Sequence, residues 1–127
     1  MVDYALQRRA LLADVFAGRL GVSEVCDAHP YLLRAAKYHG ELSDSMCPVC
    51  RKERLTHVQY VYGDRLKAGS GQAKSMREVA SMAARLDEFT VYVVEVCRTC
   101  GWNHLNSSFV TGGRPAEVSS DRRAATE

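Results

Sequence analysis

Long apolar runs are missing from this sequence of 127 residues. No stretch approaches the roughly 20 residues that a helix needs to cross a bilayer, so we expect no transmembrane segment. The N-terminal stretch MVDYALQRRALLADV interrupts its apolar residues with charged ones and has no signal-peptide pattern. We therefore expect a cytoplasmic protein, and in that compartment paired cysteines are more often metal ligands or redox groups than disulfides.

A large excess of one charge is missing too. Residues 1–46 hold five Arg/Lys and six Asp/Glu, a net −1, whereas residues 47–110 hold nine and six, a net +3. This excess is well below that of a strongly basic nucleic-acid-binding domain. No Cys/His/Asp or Ser/His/Asp arrangement has local support either, so we expect a protein that is not an enzyme.

Two CxxC motifs carry most of the chemical information in the chain. They are CPVC at residues 47–50 and CRTC at residues 97–100. Two close thiolate pairs can surround one tetrahedral Zn²⁺ at about 2.3 Å per sulfur, each pair supplying half of the tetrahedron. Four sulfurs close the coordination shell and leave no position for a catalytic water. We therefore predict a structural zinc site made by Cys47, Cys50, Cys97 and Cys100.

Other interpretations of the cysteines stay open. Four cysteines also bind iron in rubredoxin-like sites, and His104 lies close enough in the chain to replace one sulfur. A dithiol redox pair or a redox sensor is a further alternative, although a thioredoxin-like protein needs one CxxC motif and this chain has two. The fifth cysteine, Cys26, is predicted to lie on an apolar helix face with Val25 and Leu32, as a small buried hydrophobic residue.

Helical signals dominate the first part of the chain. Apolar residues recur at three- and four-residue spacing within Tyr4–Leu20. Ser23 is a suitable N-cap for a short second helix, and Pro30 suits the first turn of a third. These patterns predict a small three-helix bundle, followed by a polar connector over Glu41–Met46.

Strand signals dominate the second part. Leu55–Tyr62 and Thr90–Val96 are rich in β-branched and aromatic residues, Trp102–Val110 is a candidate third strand, and Ser75–Glu88 returns to helical spacing. We therefore predict an α+β protein: an N-terminal three-helix segment followed by a zinc-ribbon-like antiparallel sheet with an inserted helix. The expected divisions are a helical segment over 1–46, a zinc-ribbon-like domain over 47–110 and a disordered tail over 111–127.

Basic residues surround the predicted metal site and suggest a binding surface. The candidate residues for a nucleic acid or a protein partner are Arg51, Lys52, Arg54, Arg98, Trp102 and His104. Basic side chains beside aromatic ones can hold phosphates and stack on bases. The alternative is that the arginines balance the charge of the four thiolates and that the aromatic rings form the core.

Three strings in this sequence are similar to those of a known family. VCDAHPYLLRAA, CPVCRKERLTHVQYVYGD and VVEVCRTCGWNHL resemble a family of small actinobacterial proteins of uncharacterised function, over about residues 3–110. The resemblance implies a bacterial cytoplasmic protein with a zinc-ribbon-like half, and it implies no activity. More distantly, the two motifs are similar to zinc ribbons of transcription factors, RNA polymerase subunits and ribosomal proteins.

Two functional hypotheses follow from these features. The first is a non-catalytic zinc-binding accessory protein that binds RNA polymerase or the ribosome, with the basic residues near nucleic acid. The second is a zinc-stapled adaptor or homodimer without a nucleic-acid role, in which Leu55–Tyr62 and Thr90–Val96 pair across subunits. The salt dependence of binding distinguishes the two hypotheses, because phosphate contacts weaken steeply with added salt whereas an apolar interface does not.

Overall fold

The structure, a computed structural model, describes residues 1–113, leaving aside the side chains at positions 65, 67 and 68. These residues form helices and strands in a mixed α+β arrangement. The helices are α1 (Ala5–Phe16), α2 (Val22–Val25), α3 (Pro30–His39) and α4 (Met76–Arg85), and a 3₁₀ helix covers Asp64–Gly69. The strands are β1 (Val2–Asp3), β2 (Glu41–Met46), β3 (Arg54–Tyr62), β4 (Gln72–Lys74), β5 (Phe89–Val96) and β6 (Asn103–Thr111).

The strands form one antiparallel sheet of six, in the order β1-β6-β5-β3-β2, with β4 pairing β3 beside β2. At the centre, β3 and β5 pair continuously from Thr56 opposite Val96 to Tyr62 opposite Thr90. Both central strands have strand neighbours on each side. The hypothesis that they pair across subunits is therefore corrected, because neither has the free edge that such pairing requires.

Helices cover both faces of the sheet. One face packs Val61, Val91 and Val93 against α4, and continues toward the CxxC motifs as a cluster that includes Leu12 of α1 and Leu55. The opposite face buries Val58 and Val96 under Ala35 and Ala36 of α3. Because strand side chains alternate between faces, the buried positions of β3 and β5 serve two separate cores.

The strand and helix predictions for the second part of the chain agree with the structure to within a few residues. The helix α4 begins after Ser75, whose side chain accepts a hydrogen bond from the Glu78 backbone N–H over 3.1 Å. In the first part of the chain, the helix α3 also agrees with its prediction, since it begins at Pro30 and ends just before Gly40. No helix among residues 1–113 is long and apolar enough to cross a bilayer.

The first 46 residues differ from the predicted three-helix bundle. The helix α2 is a single turn, and α1 and α3 pack on the sheet. The predicted connector is the edge strand β2. Its sequence ELSDSM gives no strand signal because five of its six side chains are exposed, so the alternation typical of a half-buried strand is absent. The predicted division at residue 46 stays a prediction, and residues 114–127 of the predicted tail lie outside the described part.

Candidate metal centre

Each CxxC motif lies in a tight turn between two strands, and the two turns share one backbone hydrogen bond. The backbone N–H of Arg51 donates to the Cys47 carbonyl over 3.1 Å, and that of Gly101 donates to the Cys97 carbonyl over 2.9 Å. Arg51 has a φ of 57° and Gly101 a φ of 92°, so both turns end in the left-handed region. Glycine adopts this region without strain, whereas an arginine does so at a cost.

The pairing of β3 with β5 brings the two turns together and assembles four thiols. The Sγ atoms of Cys47, Cys50, Cys97 and Cys100 all lie within 4.8 Å of one another. Across the two motifs, Cys47 Sγ lies 3.6 Å from Cys100 Sγ, and Cys50 Sγ lies 3.6 Å from Cys97 Sγ. Sulfurs at about 2.3 Å from a tetrahedral Zn²⁺ lie about 3.8 Å apart. This four-thiol centre therefore fits one tetrahedral ion.

Backbone N–H groups point at the sulfurs. The Cys100 N–H donates to Cys97 Sγ over 3.4 Å, and the Trp102 N–H donates to Cys100 Sγ over 3.4 Å. Such donors favour thiolates, because they offset the negative charge that four deprotonated cysteines concentrate in one place. The turns are thus suited to hold metal-bound sulfur.

Burial acts in the opposite direction on most of these thiols. It raises the pKa of Cys47 and of Cys97, and it raises the pKa of Cys100 to about 12. The pKa of Cys50 is lowered, mainly because the Lys52 backbone N–H donates to its sulfur. A metal cation would replace the protons of these thiols. An ion bound by all four sulfurs in a tetrahedron would have no coordination position left for a substrate.

Two further predicted residues lie beside the centre. Among the described residues, the group of side chains close enough to share an ion does not include His104. The ring of His104 stacks on that of Trp102, with centroids 6.0 Å apart, and its Nδ1 lies 2.7 Å from the Leu105 carbonyl oxygen. Trp102 is fully buried, which places it in the core rather than on a binding surface.

Cys26 is the site residue that the sequence interpretation missed. It is predicted to be buried, and the structure leaves it half-buried, packed against the apolar cluster around Leu12 and Leu55. Its Sγ also lies 3.5 Å from Cys100 Sγ, beside the four-thiol centre. No local sequence signal places it there, because Cys26 and Cys100 are 74 residues apart in the chain.

The predicted basic residues are exposed around the two turns. Arg51, Lys52, Arg54 and Arg98 all reach solvent. Arg54 is directed partly toward Asp44, with Nη1 at 3.8 Å from Oδ1. These four side chains are therefore exposed, and their role in binding a partner stays a prediction.

Arg98 also lines a shallow depression with residues of α3. The depression has a volume of about 330 Å³, and we call it the basic groove; it is lined by Leu33, Arg34, Lys37, Tyr38 and Arg98. The Lys37 Nζ lies 5.2 Å from the centre of the Tyr38 ring, which is 66% exposed. The tertiary structure thus joins three basic side chains from two distant segments beside one exposed aromatic ring.

The fold and the site define a mixed α+β protein with four cysteines close enough to bind one metal ion. The chain belongs to a family of unknown function, DUF5318, whose model matches residues 1–126. It is similar to "Uncharacterized protein Rv0049" of Mycobacterium tuberculosis (strain ATCC 25618 / H37Rv), 60% identical over 116 residues, which is 91% of this chain and 85% of that protein. "Uncharacterized protein Mb0050" of Mycobacterium bovis (strain ATCC BAA-935 / AF2122/97) matches with the same identity and the same shares. No solved structure matches the chain.

Proposed function

We propose that this protein is a non-catalytic, zinc-binding accessory protein of the bacterial gene-expression machinery, working in the cytoplasm and binding RNA polymerase or the ribosome. In this proposal the two turns and the strands β3, β5 and β6 act as a zinc-ribbon-like unit. The four-thiol centre supports a structural ion, because its shell is closed. We favour zinc over iron because a purely structural role needs no redox chemistry, and zinc has none.

The observation that carries the proposal is the basic groove next to the centre. Arg34, Lys37 and Arg98 bring three positive charges to one depression, and Tyr38 offers an exposed ring at its wall. Arginine and lysine contact phosphates, and tyrosine stacks on unpaired bases. The groove has the composition of a contact site for the nucleic acid of such a machine.

The exposed residues of the first turn extend the same chemistry. Arg51 and Lys52 are exposed, and Lys52 lies two residues beyond the last cysteine of its motif. We assign the phosphate contacts to these two residues together with the basic groove. The helix α3, which carries four of the five groove residues, then lies at the contact.

A tagged protein recovered from lysate of its own bacterium, with and without nuclease, tests the proposal. We expect RNA polymerase or ribosomal subunits to be recovered, and part of them to survive nuclease treatment. The variant Arg34→Glu/Lys37→Glu/Arg98→Glu should lose this recovery. The matched control replaces three exposed arginines outside the groove by glutamate, Arg9→Glu/Arg77→Glu/Arg85→Glu. This variant should still recover the same subunits.

Salt dependence adds a quantitative readout with purified single-stranded RNA. The slope of log affinity against log salt should fall by about 1 for each phosphate contact removed. Equal slopes in the groove variant and in its control would contradict the nucleic-acid contact. Recovery of neither machine at modest salt would contradict the accessory role as a whole.

A second candidate function, a zinc-stapled homodimer or adaptor, is favoured by an uncovered part of the sheet. A depression of about 570 Å³, which we call the tyrosine face, is lined by Tyr60, Tyr62, Thr90, Tyr92 and Val94. Tyr62 is 45% exposed and its ring meets that of Tyr92 edge-on, with centroids 5.4 Å apart. If this face is the interface, sedimentation should give a dimer mass that Tyr62→Lys reduces to that of a monomer.

A further inference from the structure

The segment around Cys26 is held against the second CxxC turn by one backbone and one side-chain hydrogen bond. The Ala28 N–H donates to the Gly101 carbonyl over 3.0 Å, and Asn103 Nδ2 donates to Asp27 Oδ1 over 3.1 Å. A Cβ on Gly101 would lie 2.9 Å from the Cys26 carbonyl oxygen, so the absence of a side chain there permits the close approach. The position of Cys26 beside the turn is therefore determined by the backbone on both sides.

The distances place Cys26 as a neighbour of one ligand position in particular. Its Sγ lies 3.5 Å from Cys100 Sγ, compared with 3.6 Å for each of the two cross-motif pairs of the four-thiol centre. Cys26 is outside the set of thiols that all lie within 4.8 Å of one another. It therefore lies at the rim of the centre, as close to Cys100 as two ligands of one ion lie to each other.

We propose that Cys26 is a reserve ligand of the metal centre. While Cys100 binds the ion, the Cys26 thiol donates a hydrogen bond to the Cys100 sulfur. When Cys100 cannot bind, Cys26 releases its proton to solvent and its sulfur forms the fourth bond to the metal. This inference rests on the proposed metal centre and adds a second set of ligands, made by Cys26, Cys47, Cys50 and Cys97.

The physical reason lies in the small movement that the exchange needs. Removal of the Cys100 sulfur leaves a vertex adjacent to the Cys26 sulfur, and cysteine has one side-chain torsion that moves its sulfur between staggered positions. Of the ligand sulfurs, Cys100 is the one with which Cys26 makes its hydrogen bond. The reserve role should therefore protect the centre against loss of Cys100 and not against loss of Cys50, which holds the equivalent place in the first turn.

Cobalt(II) and zinc loading of single-site variants tests this proposal. In Cys100→Ser, we expect the charge-transfer absorption of a four-thiolate Co(II) site and four sulfurs in zinc X-ray absorption. The matched variant Cys50→Ser should show three thiolates. The double variant Cys26→Ser/Cys100→Ser should also show three, because both thiols that can reach this vertex are gone.

The outcomes separate failure of this inference from failure of the metal centre. If the unmutated protein binds no ion through four thiolates, the proposed centre itself is wrong. If the unmutated protein does so, but Cys100→Ser binds no cobalt or shows the same three thiolates as Cys50→Ser, Cys26 is not a reserve ligand.

A variant that keeps all four primary ligands avoids the risk that a ligand mutant does not fold. Cys26→Ala removes both the hydrogen bond to Cys100 and the reserve sulfur. Second-sphere partners of this kind change metal affinity about 10-fold or more, so Cys26→Ala should lose zinc to a competing chelator at a correspondingly lower chelator concentration. Unchanged competition in this variant would argue against the contact, whatever the ligand variants show.

Discussion

The indole N–H of Trp102 donates a hydrogen bond to Glu95 Oε2 over 2.8 Å, between two side chains that are 0% and 2% exposed. Arg8 Nε donates to the same oxygen over 2.7 Å, and Asn106 Nδ2 donates to the other carboxylate oxygen over 3.1 Å. A buried carboxylate is costly unless donors replace its hydration, and here three side chains do so. The network links α1, β5 and β6 beside the second CxxC turn.

Loss of Arg8 should weaken this network. In Arg8→Ala, the buried Glu95 loses its ionic partner and keeps only neutral donors. Because Arg8 is 29% exposed, water will replace part of the interaction, and we expect a loss of about 2 kcal/mol in the free energy of unfolding. Chemical denaturation of the zinc-loaded protein measures it. The neighbouring exposed residue gives the control, since Arg9→Ala should change stability by less than about 0.5 kcal/mol.

Removal of the proposed metal ion should loosen the end of the sheet that carries the two CxxC turns. Cys47 and Cys97 are fully buried in the same cluster as Leu12, Leu55 and Trp102. The chain has a single tryptophan, so its fluorescence reports on this cluster directly. A strong chelator should shift the emission to longer wavelength and lower the melting temperature, and added zinc should reverse both. Identical emission and melting with and without chelator would show that the fold does not depend on a metal.

Gly101 should not tolerate a side chain. Its φ of 92° lies in the left-handed region, and a Cβ there would lie 2.9 Å from the Cys26 carbonyl oxygen. We expect Gly101→Ala to destabilise the zinc-loaded protein by at least about 2 kcal/mol in thermal or chemical denaturation. Arg51 holds the equivalent position in the first turn, and there a side chain can be removed instead of added. Arg51→Gly, at a φ of 57°, should stay within about 1 kcal/mol of the unmutated protein.

The N-terminal cap of α4 gives a prediction away from the metal centre. Ser75 Oγ accepts from the Glu78 N–H, and Glu78 Oε1 accepts from the Ser75 N–H over 2.8 Å. Ser75→Ala should cost about 1 kcal/mol in the free energy of unfolding, because it removes one half of this reciprocal cap. Ser81→Ala is the control within the same helix. Ser81 is exposed in the interior of α4, where alanine is the better helix former, so this variant should be neutral or slightly more stable.

The same cap predicts the direction of a pH effect. The Ser75 backbone N–H holds the pKa of Glu78 below its usual value. The unfolded state therefore binds this proton more readily than the folded state, so the contribution to stability is present above the ordinary glutamate pKa and is lost as the pH falls through the lowered one. Because Glu78 is exposed, the effect is small and screened by salt. Comparison of Glu78→Gln with the unmutated protein across acidic pH should show the two curves converging as the pH falls.

Much of the sheet was predictable from local patterns. The strands β3 and β5 are rich in β-branched and aromatic residues, and a capping box with helical spacing marks α4. The edge strand β2 was not predictable, because its exposed polar side chains carry no alternation. Trp102 was misplaced for a related reason. Its neighbours in the chain suggest a surface beside the metal site, whereas it packs in the cluster that includes Leu12 of α1 and donates a hydrogen bond to Glu95.

The two CxxC spacings alone determined that this chain could offer four thiols to one ion, because each spacing forces its two sulfurs to one side of a tight turn. Only the tertiary structure decided what surrounds those thiols. The pairing of β3 with β5 brings the turns together, the docking of residues 26–28 on Gly101 adds the fifth thiol, and α3 adds Arg34 and Lys37 to Arg98. These are contacts between segments far apart in the chain, and they depend on how helices pack on a sheet rather than on any local pattern of residues.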